Sequence, residues 1–501
     1  MQEPNPSPDR RNPDHPDVGS NLKTQAHEQD DRPELLSDGS FWGMVSTQFM
    51  GAFNDNLYKQ LMLLLALPTA VVAGAELVGT ELPGAELAGG DIAPPGSKGS
   101  TNQSDVQGWA GLVFALPFVL FSGFAGYLSD RYSKTPIIFL CKVAEIAVMF
   151  LGYLAFLYYA RFGQTGTWIV LFLMGTQSAF FGPSKYGVLP ELFRYRDLAR
   201  ANALVLMSTF LAIILGIVAA GYLKKLLGGD TAEQLTGGMM VCILIAVLGT
   251  LTARLLRQTP PAHPNMKLSL DCWGVSREMV ALFRKDRPLL AAIFVSSVFW
   301  LVSGLAVPTV NRLGIEQLAV DEGKTSILTA CVGLGIMLGS PLASALCRSR
   351  MGSSAVNVGL GGIFVALLLL GFWKGQTQVL GYWGSFVCLI GIGVFAAIFS
   401  IPVMVFLQSR PPMHLRGRLI ATMNQANFLG ILLAGPLYQL FEKLASWMNW
   451  PISSVFWMMG AMVLPLAIAY RLDSRTATTI PGGPSRIPGG ASSSSTDSSP
   501  S

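Results

Sequence analysis

Charge is scarce in this sequence. Asp, Glu, Lys and Arg supply 13% of its 501 residues, about half the share of an ordinary soluble domain. A single large soluble core is excluded by pattern, because apolar runs of about 20 residues recur along the whole length. Cysteine is sparse and scattered: Cys141, Cys242, Cys272, Cys331, Cys347 and Cys388 contain no CxxC pair. Neither a disulfide framework nor a metal site is therefore expected. An HExxH, a phosphate-binding glycine loop with its lysine and a nucleophile–base pair are all missing. The expectation is a protein that is not an enzyme and needs no cofactor. The net charge is only +5 and the bases lie in short loops and tails rather than on one face, so nucleic acid is not an expected partner. Residues 1–40 lack the apolar region of a signal peptide and are rich in Pro, Asp, Asn and Arg, and residues 472–501 are rich in Ser, Pro and Gly. Both are expected to be disordered cytoplasmic tails.

What the sequence does contain is hydrophobic: 51% of residues, with a mean hydropathy of +0.46. Twelve apolar segments stand out, at roughly 41–70, 107–129, 136–160, 167–188, 200–223, 238–257, 288–310, 324–346, 353–373, 380–408, 418–441 and 451–471. The even-numbered connections hold about 17 Lys and Arg and the odd-numbered ones about 8, which by the positive-inside rule puts both termini in the cytoplasm. The longest inside connection, 258–287, carries an amphipathic stretch from Val275 to Phe283 and divides the chain into halves at 41–257 and 288–471. A weak repeat at an offset of 218 aligns Phe210–Leu215 with Phe428–Leu433 and Arg200 with Arg418. The fold expected is an all-α integral membrane protein of twelve transmembrane helices. Two pseudo-symmetric six-helix bundles related by an axis along the membrane normal are the major facilitator arrangement, with the substrate path between the halves.

One stretch breaks the oil. Met50-Gly-Ala-Phe-Asn54-Asp55-Asn56-Leu-Tyr-Lys59 lies inside the first span, and Gln48, Ala52, Asp55 and Lys59 share a helical face. Asp55 is about 20 Å from the start of the span at about 1.5 Å per residue, near the bilayer middle. A charge there costs at least about 2.5–3.5 kcal/mol, so it must face protein or water. Two readings follow. Asp55 pairs with Lys59 and the amides cross-link helices, or Asp55 lines the cavity as a gate or as a site for an ammonium head or a coupling cation. Lys142 and Glu145 in the third span stand three apart and can neutralise each other. Asn424, Gln425 and Asn427 in the eleventh span either line the cavity or bond between helices. Gly333, Gly335 and Gly339 are expected at packing positions.

Two further motifs narrow the reading. The connection after span two is Gly126-Tyr-Leu-Ser-Asp130-Arg131-Tyr-Ser-Lys134, which resembles the major facilitator loop signature. Gly126, Leu128, Asp130, Arg131 and Lys134 match it, while Ser133 replaces a glycine and Thr135 a base. The resemblance implies a conformational latch. Asp130 faces the positive N-terminus of span eleven near Arg418, and Arg131 and Lys134 hold acids or lipid phosphate. Phe181-Gly-Pro-Ser-Lys185-Tyr-Gly-Val-Leu-Pro-Glu191-Leu, Arg200-Ala-Asn-Ala-Leu and the Phe-Asn-Asp-Asn stretch together look like the bacterial lysophospholipid transporter (LplT-like) family and the transporter domains fused to acyltransferases. The likeness covers roughly 41–471.

The resemblance implies transport of a lysophospholipid across the inner membrane from outer to inner leaflet, a functional link to a separate acyltransferase, membrane lipids as partners and a monomer. It also implies that spans one, four and seven surround the cavity. Asn54, Asp55, Asn56, Lys59, Lys185 and Asn424 with Asn427 are then candidate substrate-binding or gating groups. Span seven carries no internal charge here and offers Trp300, with Ser296 and Ser303 on the same face. The alternative is a major facilitator for another amphipathic solute, such as a drug or siderophore.

Overall fold

The computed structural model describes residues 32–66, 99–228, 231–267, 273–348 and 352–470. The expected tails before residue 32 and after 470, most of the first outer connection and Cys272 lie outside these. Thirteen α-helices of nine or more residues are described: α1 (Gly39–Ala66), α2 (Gly99–Arg131), α3 (Lys134–Leu157), α4 (Tyr159–Leu192), α5 (Leu198–Leu227), α6 (Thr236–Ala253), α7 (Arg277–Lys285), α8 (Arg287–Arg312), α9 (Glu322–Arg348), α10 (Gly352–Leu370), α11 (Gly381–Ser409), α12 (Arg416–Trp447) and α13 (Ser454–Ala469). All but the short α7 correspond to the twelve apolar segments. Among the described residues, eight helices are long and apolar enough to cross a membrane, and Ser354–Leu370 and Ser454–Ala469 are shorter apolar helices.

Lateral exposure fits lipid as the surrounding solvent. Large apolar side chains such as Leu140, Phe150, Leu244, Phe294 and Val387 stand more than half exposed, which in water would be an aggregation hazard and in a bilayer is not.

Helix contacts repeat between the halves. In the first, α1 packs on α5, α2 on α4, and α3 on α4 and α6. In the second, α8 packs on α12, α9 on α11, and α10 on α11 and α13. These are the same spans counted six later. The halves meet through α2 with α12 and α5 with α9. At the α2–α12 crossing a side chain on Gly126 would put its Cβ 2.6 Å from that of Ala421, so only a hydrogen fits. Gly335 and Gly339 pack on α11 and Gly333 on Phe210 of α5, as expected for packing positions.

Four local details add to the sequence reading. Helix α1 starts at Gly39, and the turn before it is packed rather than loose. Leu35 is buried, Asp38 accepts from the Ser40 amide at 2.9 Å, and Arg257 pairs with Asp38 at 2.6 Å. Helix α4 runs unbroken through Gly182-Pro183, and its non-helical residue is Gly163 at φ 56°. The central connection contains α7, capped by Ser276 Oγ accepting from the Met279 amide and seated by buried Met279 and Phe283. A two-stranded antiparallel hairpin, Trp373–Lys374 with Thr377–Gln378, joins α10 to α11.

Candidate functional site

The polar stretch of α1 meets a buried ion pair. Lys142 and Glu145 of α3 are each 1% exposed and joined Nζ to Oε2. Asn54, fully buried, donates from Nδ2 to the other carboxylate oxygen at 2.9 Å. Gln177 of α4 donates to Glu145 Oε2 at 3.5 Å. The next residue, Ser178, lies 3.1 Å from both Gln177 Oε1 and Asp55 Oδ2. A chain of polar contacts thus runs from α3 through α4 to Asp55. Room for the Lys142 ammonium comes from Gly51, where a Cβ would stand 2.8 Å from Nζ. Low dielectric makes such a network strong when complete and costly when broken.

The sequence candidates separate at this point. Asn54 and Asp55 join the network, and Asp55 is half-buried. Asn56 turns back to the Ala52 carbonyl of its own helix at 2.8 Å. Lys59 is half-buried on the Asp55 face, and among the described residues no ion pair joins the two.

Lys185 of α4 is 9% exposed, with its ammonium 4.3 Å from the Tyr186 ring centroid and 5.7 Å from that of Phe181. It stands about 10 Å from the helix end at about 1.5 Å per residue. Asn424 lies against Gly182, whose added Cβ would meet its Nδ2 at 2.8 Å. Asn427 Oδ1 accepts from Ser296 and Ser297 at 3.1 and 3.3 Å, tying α12 to α8. Trp300 is half-buried with its ring edge-on to Phe299.

The residues of the loop signature gather where α2 ends. Asp130, fully buried, accepts from the Gly417 and Arg418 amides at 2.7 and 3.1 Å and from Arg418 Nε at 3.2 Å. A side chain of one half therefore caps a helix of the other and meets its positive end. Arg418 reaches on to Glu278 at 2.9 Å and Ser276 at 3.4 Å, which adds the α7 segment to the clasp. Lys134 pairs with Glu191 of α4 at 2.5 Å, both buried. Arg131 holds no acid among the described residues and rests on Tyr127 and Tyr132.

A second clasp at the same end is neutral. Asn202 of α5 and Gln408 of α11 exchange both amide hydrogen bonds, at 2.6 and 3.1 Å, and Gln408 also donates to the Tyr186 carbonyl at 3.1 Å. Interhelical bonds of this type are worth about 0.6–1.7 kcal/mol in membranes. Asn202→Ala and Gln408→Ala are each expected to lower unfolding stability by about 1–2 kcal/mol, since each leaves a buried amide half-bonded. The double variant should cost less than the sum. A double-mutant cycle by chemical unfolding in micelles checks this, and strict additivity would contradict the pairing.

The Major Facilitator Superfamily profile matches residues 92–435, more than half of the chain. The chain belongs to that superfamily. A relative from Photorhabdus laumondii called lysophospholipid transporter LplT is 27% identical over 349 residues, spanning 66% of this chain and 79% of its own. Among solved structures, the superfamily transporter FucP in the outward conformation superposes with a TM-score of 0.62 at 12% identity, over 85% of this chain and 97% of its own. The human organic anion transporter MFSD10 (TETRAN) gives 0.63 at 16%, over 85% and 98%.

In this major facilitator, sequence reasoning left out several polar partners. Gln177 and Ser178 sit in an ordinary helical run and carry no local signal. Glu145 was visible, but only as a neutraliser of Lys142. The buried amide of Gln408 could have been noticed as a polar residue closing a long apolar segment.

Proposed function

We propose that this chain is a lysophospholipid transporter of the inner membrane. It moves a lipid with one acyl chain and a glycerophosphoryl head from the outer to the inner leaflet, by alternating access of residues 41–257 against 288–471. The observation that carries this reading is Lys185. Its ammonium is nine-tenths buried among aromatic rings and has no carboxylate partner among the described residues. A buried cation without an anion is costly, and a substrate phosphate is the anion that relieves it.

Asp55 and Lys59, half-buried on one face of α1, supply opposite charges for a zwitterionic head. Relatives that align with 66% of this chain at 25–27% identity carry the lysophospholipid transporter name, which supports the same substrate class. With both termini cytoplasmic, the Asp130 end is the inner one, and its two clasps correspond to a form closed inward. A separate acyltransferase would consume the delivered lipid, and one chain suffices as the transport unit.

The test is a flip assay in proteoliposomes with fluorescent lysophosphatidylethanolamine, run with and without sodium or proton gradients. Wild type should move the probe. Lys185→Ala should lose about tenfold or more in rate, since the phosphate loses a buried charge-assisted partner worth about 1.5–3 kcal/mol. Asp55→Asn should lose a comparable factor if the ammonium contact forms. No movement by correctly inserted wild type would overturn the substrate assignment, and full activity in Asp55→Asn would return that residue to a structural role.

A further inference from the structure

Helix α7 has one face seated and one face open. Met279 and Phe283 are buried in the apolar core of the second half. Val275, Arg277, Val280, Ala281, Arg284 and Lys285 line an open groove of about 670 Å³. Its chemistry is a small apolar floor bounded by three cations.

The height of the groove follows from its neighbours. Arg287, exposed, begins α8, and Leu290 and Phe294 follow three and seven positions later on the same face, 41% and 60% exposed. A stripe that passes from a base to exposed apolar side chains marks the passage from headgroups to acyl chains. Lys285 ends two residues before Arg287, so α7 lies at headgroup level. On its other side Trp273, 46% exposed, stacks on Phe124 of α2 at 5.1 Å and 9°. A part-exposed tryptophan beside basic residues is the composition of a helix lying in the interface.

We propose that this groove binds the phosphate of an anionic membrane phospholipid. This lipid is a resident ligand, separate from the transported one. Arg277, Arg284 and Lys285 surround the phosphate, and the chains lie along Val275, Val280 and the exposed face of α8. A soluble acidic segment would match the cations but leave the valines without an apolar partner. The site is coupled to the clasp, because Ser276 and Glu278 of the same segment bond Arg418, which holds Asp130. A lipid that orders α7 therefore favours the clasped form, and the clasped form favours the lipid, by the reciprocity of linkage.

The experiment titrates full-length protein in micelles with phosphatidylglycerol or phosphatidylcholine and counts retained lipids by native mass spectrometry. Wild type should retain phosphatidylglycerol about tenfold better, and salt should weaken the preference. Arg284→Gln/Lys285→Gln should abolish it. Lys374→Gln, in the hairpin between α10 and α11, should leave it intact. If the double variant unfolds, Arg284→Gln alone should give a partial loss of about threefold.

Equal retention of the two lipids by wild type would overturn the proposal, as would an unchanged preference in the folded double variant. Displacement by free glycerophosphoglycerol as effective as by the whole lipid would overturn the acyl-chain half of it. The readout is binding and not flipping, so this result stands or falls apart from the transported substrate.

Discussion

Asp130→Ala should open the clasp end. The carboxylate accepts three hydrogen bonds from α12, two of them from amides at the start of that helix. Its removal leaves those amides without an acceptor and Arg418, 7% exposed, without its buried counter-charge. Breaking one side of a buried pair costs about 3–5 kcal/mol. A tenfold change corresponds to about 1.4 kcal/mol, so the clasped population should fall by about two to three and a half orders of magnitude relative to the open one. Hydrogen–deuterium exchange of the Gly417–Ile420 amides reads this directly, with faster exchange expected there and little change in α10 and α13. The charge-retaining Asp130→Glu should show a smaller effect. Exchange as slow as in wild type for Asp130→Ala would mean that the halves are held by packing alone.

Lys142→Met should strongly destabilise the mid-membrane network. It leaves the Glu145 carboxyl buried without its ammonium, in a site where Asn54 and Gln177 are the remaining donors. Glu145→Gln leaves the ammonium of Lys142 stranded in the same way. Each should cost about 3–5 kcal/mol, seen as reduced yield and a lower unfolding midpoint in micelles. The pair replaced together, Lys142→Met with Glu145→Gln, removes both charges and should recover a large part of the loss, because the desolvation of two ions is removed with their attraction. The double variant also separates structure from transport. If it folds yet moves substrate poorly, the network positions Asp55 through Gln177 and Ser178. If it folds and transports normally, the ion pair serves packing alone. A double variant no more stable than either single one would contradict the pairing.

The relation between sequence and site is uneven, and the polar residues of α1 show why. The Asn54-Asp55-Asn56 triplet was legible as an intramembrane polar face because burying such groups is costly and rare. The triplet nevertheless divides three ways: Asn54 to an ion pair on α3, Asp55 to a serine on α4, Asn56 to its own backbone. Helical periodicity assigns a residue to a face. It does not say which neighbour that face meets. Asp130 illustrates the favourable case. The loop signature it belongs to implied a contact with the positive start of span eleven, and the structure puts it on the start of α12, 287 residues away along the chain. Asn202 and Gln408 illustrate the other. They lie 206 residues apart, both in apolar helices, with no spacing that links them.

The sequence by itself determined that the chain lives in a membrane, that it carries twelve long apolar segments, and that a few charged groups lie within the oil. These follow from local quantities, namely the length of apolar runs, the placement of bases and the cost of burying polar atoms. Tertiary structure decided which polar group answers which. Each partner comes from a different helix, and hydrogen bonds of about 3 Å depend on crossings set by close contacts such as Gly126 on Ala421 and Gly51 beside Lys142. Those crossings arise from the packing of all the helices together, and no single segment encodes them.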